Sequence, residues 1–148
     1  MKQIKSTGIV FGDMHFPLHD EKAFSCALKV IEKVKPDVFI NLGDFAEGEY
    51  VSHWRWSRRR RPPLEYQLPL IDKEADEVNY HMDRIDKVLD KEGGKKKYLA
   101  MGNHDNWYNA FVEENPYLDG YKPEHLFKIK ERGYKWYPYG ELFKVEGS

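Results

Sequence analysis

Val38-Phe39-Ile40-Asn41-Leu42-Gly43-Asp44 is an apolar run that ends in a glycine followed by a residue able to ligate a metal. The same device stands upstream at Ile9-Val10-Phe11-Gly12-Asp13 and downstream at Tyr98-Leu99-Ala100-Met101-Gly102-Asn103. Short, near-continuous apolar runs are the pattern of strands in a parallel sheet covered on both faces. Ligands of such sheets gather beyond the carboxyl ends of the strands. Glycine at each exit lets the backbone turn sharply and approach a ligand closely. The first run continues to His15 and the third to His104 and Asp105. Three strand exits thus bring Asp13, His15, Asp44, Asn103 and His104 to one edge, and that convergence points to metal.

Between the runs the apolar period changes. Phe24, Ala27, Leu28, Ile31 and Val34 recur at helical spacing behind Asp20, a suitable N-cap, and Pro36 stops the helix. Ile71, Ala75, Val78, Met82, Ile85 and Leu89 mark a second, longer helix that Gly93-Gly94 ends. The expected class is α/β, a layered sheet with flanking helices. Phe45 to Pro69 has no clear period and contains Pro62-Pro63. A loop of that length inside a compact domain is usually functional or disordered. A helix of about 20 residues spans about 30 Å, against about 20 Å for a six-residue strand. The helix therefore overshoots the sheet, and residues 45–69 are expected to cap the strand ends. Downstream, short helices are expected over Trp107–Glu114 and Lys122–Arg132, with strands at Tyr134–Tyr137 and Glu141–Val145.

At 148 residues the chain is read as one domain spanning 1–148, with enough apolar side chains to fill one core. A net charge of −1 leaves only a local patch to attract nucleic acid. The single cysteine, Cys26, excludes an internal disulfide and reads as a buried thiol in a reducing compartment. No signal-type or membrane-spanning apolar stretch occurs, so a soluble cytoplasmic protein is expected. No glycine-rich dinucleotide or P-loop pattern occurs either.

A hydrolytic two-metal site needs oxygen and imidazole ligands on rigid strand ends, a bridging anion, and open positions for water and substrate. Asp13 and His15, two residues apart on extended backbone, point to one side. Asp44 stands on the next strand with two carboxylate oxygens, and Asn103 offers a neutral carbonyl. His104, one residue on, points elsewhere, toward a leaving group, with Asp105 placed to orient it.

In this order, Gly12-Asp13-Met14-His15, Gly43-Asp44 and Gly102-Asn103-His104-Asp105 resemble the signature of the calcineurin-like metallophosphoesterases. The resemblance implies hydrolysis of phosphomono- or phosphodiesters by a metal-activated hydroxide. It implies two divalent ions (Mn, Fe, Zn or Ni). Asp13 and His15 would bind the first, Asp44 would bridge, and Asn103 would bind the second. His104 would donate a proton or hold the phosphate, paired with Asp105. The family's later Gly-His and Gly-His-x-His motifs have no counterpart, since no histidine follows His125. By that comparison the chain is similar to the N-terminal part of such an enzyme, expected to hold one ion well, or to be completed by a C-terminal segment.

Arg55, Arg58, Arg59, Arg60 and Arg61, flanked by Trp54 and Trp56, follow the strand bearing Asp44. Guanidinium forks pair with phosphate and indoles stack on bases, so this cap resembles phage and prophage members and favours a nucleic-acid or nucleotide substrate. The competing reading pairs these arginines with Asp72, Glu74, Asp76 and Glu77. Lys95-Lys96-Lys97 is read as a solvated run, and His19, His53, His81 and His125 as structural or solvated. A second function class remains open: a catalytically incomplete module that binds nucleic acid or a partner chain with half of the metal site. A third is a scaffold stabilised by metal or by a complementary fragment.

Overall fold

Strands β1 (Gly8–Phe11), β2 (Val38–Asn41), β3 (Lys96–Ala100) and β4 (Tyr134–Tyr137) form one sheet in the order β1-β2-β3-β4, every pair parallel. The computed structural model describes residues 6–56, 60–92 and 95–145. Helices α1 (Glu21–Val34), α2 (Leu64–Leu89) and α3 (Asn103–Glu114) are the crossovers, and a short α4 (Pro123–Leu126) precedes β4. Parallel crossovers share one hand, so consecutive strands laid side by side send their helices to the same face. Phe39, Leu99 and Tyr134 of the sheet accordingly pack with Phe24 and Ile31 of α1, the α2 row and Phe111 of α3. The runs suggest cover on both faces, but the opposite face is only partly covered. Val10 is 54% exposed there, while Phe143 stacks on Tyr98 and Tyr137.

The first helix starts as its sequence requires. Asp20 accepts the Ala23 N–H at 2.9 Å, and the Lys35 N–H closes the end on the Ile31 carbonyl. The second begins at Leu64, before Pro69, so the irregular segment closes at Pro63 and is shorter than expected. Proline lacks an N–H and usually breaks a helix interior, which is why the period was legible only from Ile71. Two buried polar residues, Gln67 and Glu74, extend the apolar row in phase. Gln67 donates to the Tyr50 carbonyl at 2.9 Å, and Glu74 accepts the Glu49 N–H and the Tyr108 hydroxyl. These bonds fasten the segment after β2 to both α2 and α3. Gly93-Gly94, the expected helix end, lie outside the described residues.

Other expectations change. Residues 141–145 form no strand, and the helix expected over 122–132 shrinks to α4 followed by turns. Cys26 is exposed on the outer side of α1. His81 is half-buried, stacked on Phe16 at 4.9 Å, with the His19 ring 4.2 Å away. Its burial, with His19 and Arg84 alongside, lowers its pKa to about 4.

Lys97 is buried rather than solvated, because β3 carries it under α2. Its ammonium meets Asp86 at 3.0 Å, Asp90 at 2.8 Å and the Arg132 carbonyl. Arg132 in turn meets Asp86 and Asp83, each at 2.6 Å. Asp86 therefore ties two buried cations at the end of the sheet remote from Asp44. Asp86→Ala is expected to cost about 3 kcal/mol, the low end for breaking a buried pair, because Asp90 and Asp83 remain as partners. Thermal denaturation should show a fall of about 10 °C at 2–4 °C per kcal/mol; a fall under 2 °C would show the network to be dispensable.

Candidate metal centre

Beyond the strands the first two exits stay zipped together. The Asp13 N–H donates to the Gly43 carbonyl at 3.1 Å, and His15 N–H to Asp44 and Phe16 N–H to Phe45 at 2.8 Å each. Asp13, His15 and Asp44 thus stand side by side, with ligand atoms within 4.8 Å of one another. All three have positive φ, at 52°, 46° and 48°. Non-glycine residues rarely adopt that region, and strain of this kind gathers at functional sites.

The third exit presses against the second. A side chain on Gly102 would overlap the Asp44 carboxylate, and one on Gly43, whose φ is 87°, would overlap the backbone of Gly102. Only glycine fits either position. The close approach lets the His104 N–H at the start of α3 donate to Asp44 Oδ1 at 2.9 Å. Asn103 opens α3 between these two residues, with its side chain exposed to solvent.

Glu47, which sequence reasoning did not single out, organises the imidazoles. Its carboxylate lies 2.9 Å from His15 Nδ1, and its backbone carbonyl accepts from His104 Nδ1 at 2.7 Å. The Nε2 atoms make neither of these bonds, and that of His15 lies 4.0 Å from Asp13; a second partner of this kind fixes the tautomer of a ligating histidine. The His15 and His104 rings meet edge to face at 4.5 Å, and Trp107 stacks on His104 at 3.9 Å. Glu47 sits three residues after Asp44, an acidic residue at an otherwise apolar turn, which was the available signal. Asn41 is a second omission: buried, it accepts the Gly43 N–H at 2.9 Å and holds the Gly-Asp turn.

Asp105 does not orient His104. Its carboxylate is fully buried and accepts the N–H groups of Asp44, Gly102 and, more distantly, Ala46. It pins the second and third exits to each other. Burial pushes its pKa up to about 7, against the pull of those backbone donors. Glu74 is likewise raised by burial.

The donor set suits a divalent ion. It combines carboxylate oxygens with one imidazole nitrogen whose ring is already oriented, and Asp13 has an exposed side chain. Such mixed N/O sites take first-row divalent metals. A cavity of about 560 Å³ lined by Asp13, Met14, His15, His19 and Phe24 opens beside the first two candidate ligands.

The arginines divide. Arg55 pairs with Glu49 and lies over the rings of Tyr50 and Trp56; Arg61 pairs with Glu114. Neither uses the acids at the start of α2, because Glu74 is buried toward Tyr108 and the cap folds toward α3. Arg60 is exposed, and Arg58 and Arg59 lie outside the described residues.

Among the described residues no helix is long and apolar enough to cross a membrane. No curated protein matches the chain. A sequence profile described as calcineurin-like phosphoesterase matches residues 9–147, a span that includes all three strand exits. That match points to metal-dependent hydrolysis of phosphate esters. The chain belongs to the calcineurin-like phosphoesterase family.

Proposed function

We propose that this chain hydrolyses phosphomono- or phosphodiesters, with Asp13, His15, Asp44 and Asn103 holding divalent metal (Mn, Fe, Zn or Ni). The observation that carries the reading is the meeting of Asp13, His15 and Asp44 around an imidazole that Glu47 has already oriented. When bound, divalent cations supply charge that polarises the phosphoryl group and activates the attacking water. Asp44 brings two carboxylate oxygens to the centre of the group, and its Oδ1 keeps a lone pair beyond the one that accepts from His104 N–H. His104, whose Nδ1 proton is committed to the Glu47 carbonyl, presents Nε2 to the leaving oxygen and would act as the acid in its imidazolium form, giving up the Nε2 proton and keeping the one on Nδ1. The aromatic and arginine-bearing cap beside His104 favours a nucleic-acid or nucleotide ester.

The test is metal dependence. After chelation and desalting, Mn²⁺ should restore hydrolysis of p-nitrophenyl phosphate or bis-p-nitrophenyl phosphate, and EDTA should remove it. Ligand at ~100 times its Kd also adds about 2.7 kcal/mol of stability, so the melting temperature should rise with Mn²⁺. A rise in melting temperature without hydrolysis of either ester would replace this reading with that of a binding module. No effect of Mn²⁺ on either measurement would end both.

A further inference from the structure

A row of rings leads away from His104 into the cap. Trp107 stacks on His104 with 28° between planes, His53 meets the Trp107 ring edge-on at 5.8 Å, and Trp54 lies tilted over His53 at 5.0 Å. The outermost ring, Trp54, is 78% exposed. Beside the row is a pocket of about 450 Å³ between the cap and α3, with Val51, His53, Trp107 and Phe111 as walls. Its polar edge is the Arg61–Glu114 pair, which sets guanidinium donors next to carboxylate acceptors.

We infer that this pocket and the adjoining ladder bind a nucleobase carried on the leaving-group side of the scissile phosphate. The inference deepens the proposed phosphoesterase reading and rests on it for the placement of His104. A base has two π-faces and an edge of mixed donors and acceptors. The first suits Trp107 and His53, and the second suits Arg61 and Glu114. An alkyl chain would leave the ion pair without a partner. The exposed Trp54 face extends the row past the pocket, where a second base can stack as on single-strand platforms. Arg60, exposed next to Arg61 in sequence, offers a further guanidinium for a neighbouring phosphate.

The ligand classes sharing this chemistry are a mononucleotide and a single-stranded end, and binding in EDTA separates them without requiring turnover. The probes are pentadeoxyadenylate, an abasic pentamer with the same phosphates, and adenosine monophosphate, titrated against intrinsic tryptophan fluorescence and by calorimetry. Pentadeoxyadenylate is expected to bind at least tenfold more tightly than the abasic pentamer. Trp54→Ala, a change at an exposed ring, should shrink that ratio severalfold. Equal affinity for the two pentamers would overturn the inference. A pentamer tighter than the mononucleotide identifies a single strand along the ladder; equal affinity of those two, both exceeding the abasic pentamer, identifies one base in the pocket. The phosphoesterase reading fails separately: base-dependent binding without Mn²⁺-dependent hydrolysis of small esters would sink that reading alone.

Discussion

Asp44→Ala is expected to bring Mn²⁺-dependent hydrolysis to background and to lower stability, whereas Asp44→Asn is expected to lose hydrolysis while keeping the stability of the metal-free fold. The carboxylate has two separable tasks. Toward the site it is the shared anionic candidate ligand, flanked by Asp13 and His15 within 4.8 Å. Toward the fold, its Oδ1 accepts the His104 N–H at the start of α3, where the capping residue, Gly102, has no side chain to offer. Losing a cap of this kind costs about 1 kcal/mol. Alanine also tolerates the positive φ of 48° less readily than asparagine does. The amide oxygen of asparagine keeps the cap but removes the charge. In EDTA, the alanine variant should melt several degrees below wild type, at 2–4 °C per kcal/mol, and the asparagine variant close to it. Both should lose Mn²⁺ on desalting. Retained Mn²⁺-dependent turnover in either would remove Asp44 from the metal site.

The parts of this site legible in the sequence were those set by strand exits. An apolar run reports a buried strand, and a glycine after it reports a turn, so the sequence pattern alone gathers Asp13, His15, Asp44 and His104. Their supports could not. Glu47 acts across 32 residues on His15 and through its backbone on His104, and no local period announces either contact. Asp105 was legible as a neighbour of His104 but not in its direction: one residue further round a helix turns a side chain by about 100°, from the cleft into the core. Lys97 was misjudged for a related reason. In an alternating strand its neighbours face away from it, so a lysine run says little about its last member, Lys97.

The same logic explains why the cap boundary moved. Pro69 hides the first turns of α2 from a reading that treats proline as a stop. Gln67 and Glu74, polar residues in the apolar phase, had the information that the row continued. They are buried because they satisfy backbone groups of residues 49 and 50, and buried polar groups require such partners. Local chemistry near a functional segment thus breaks the hydrophobic pattern where that segment is anchored, just behind the rings that adjoin His104.

His104→Ala is expected to lower kcat on an alkyl phosphate ester by ~10²–10⁴, the usual contribution of a general acid. Metal content should be preserved, because the bond from residue 104 to Asp44 is made by the backbone N–H and survives the change. The argument rests on the imidazole's fixed orientation. Glu47's carbonyl can only accept, so Nδ1 must hold a proton; acid catalysis then runs from the imidazolium, with Nε2 the atom that gives its proton to the leaving oxygen. Trp107 stacked behind the ring at 3.9 Å keeps it from swinging away. A p-nitrophenolate departs readily without a proton, so hydrolysis of a p-nitrophenyl ester should fall far less than that of the alkyl ester. The ratio between the two substrates therefore reports acid catalysis itself, apart from any general damage. If both fall equally and Mn²⁺ is lost as well, His104 holds the site together and does not transfer a proton. If the alkyl ester is turned over at the wild-type rate, the acid must be sought elsewhere along the cleft.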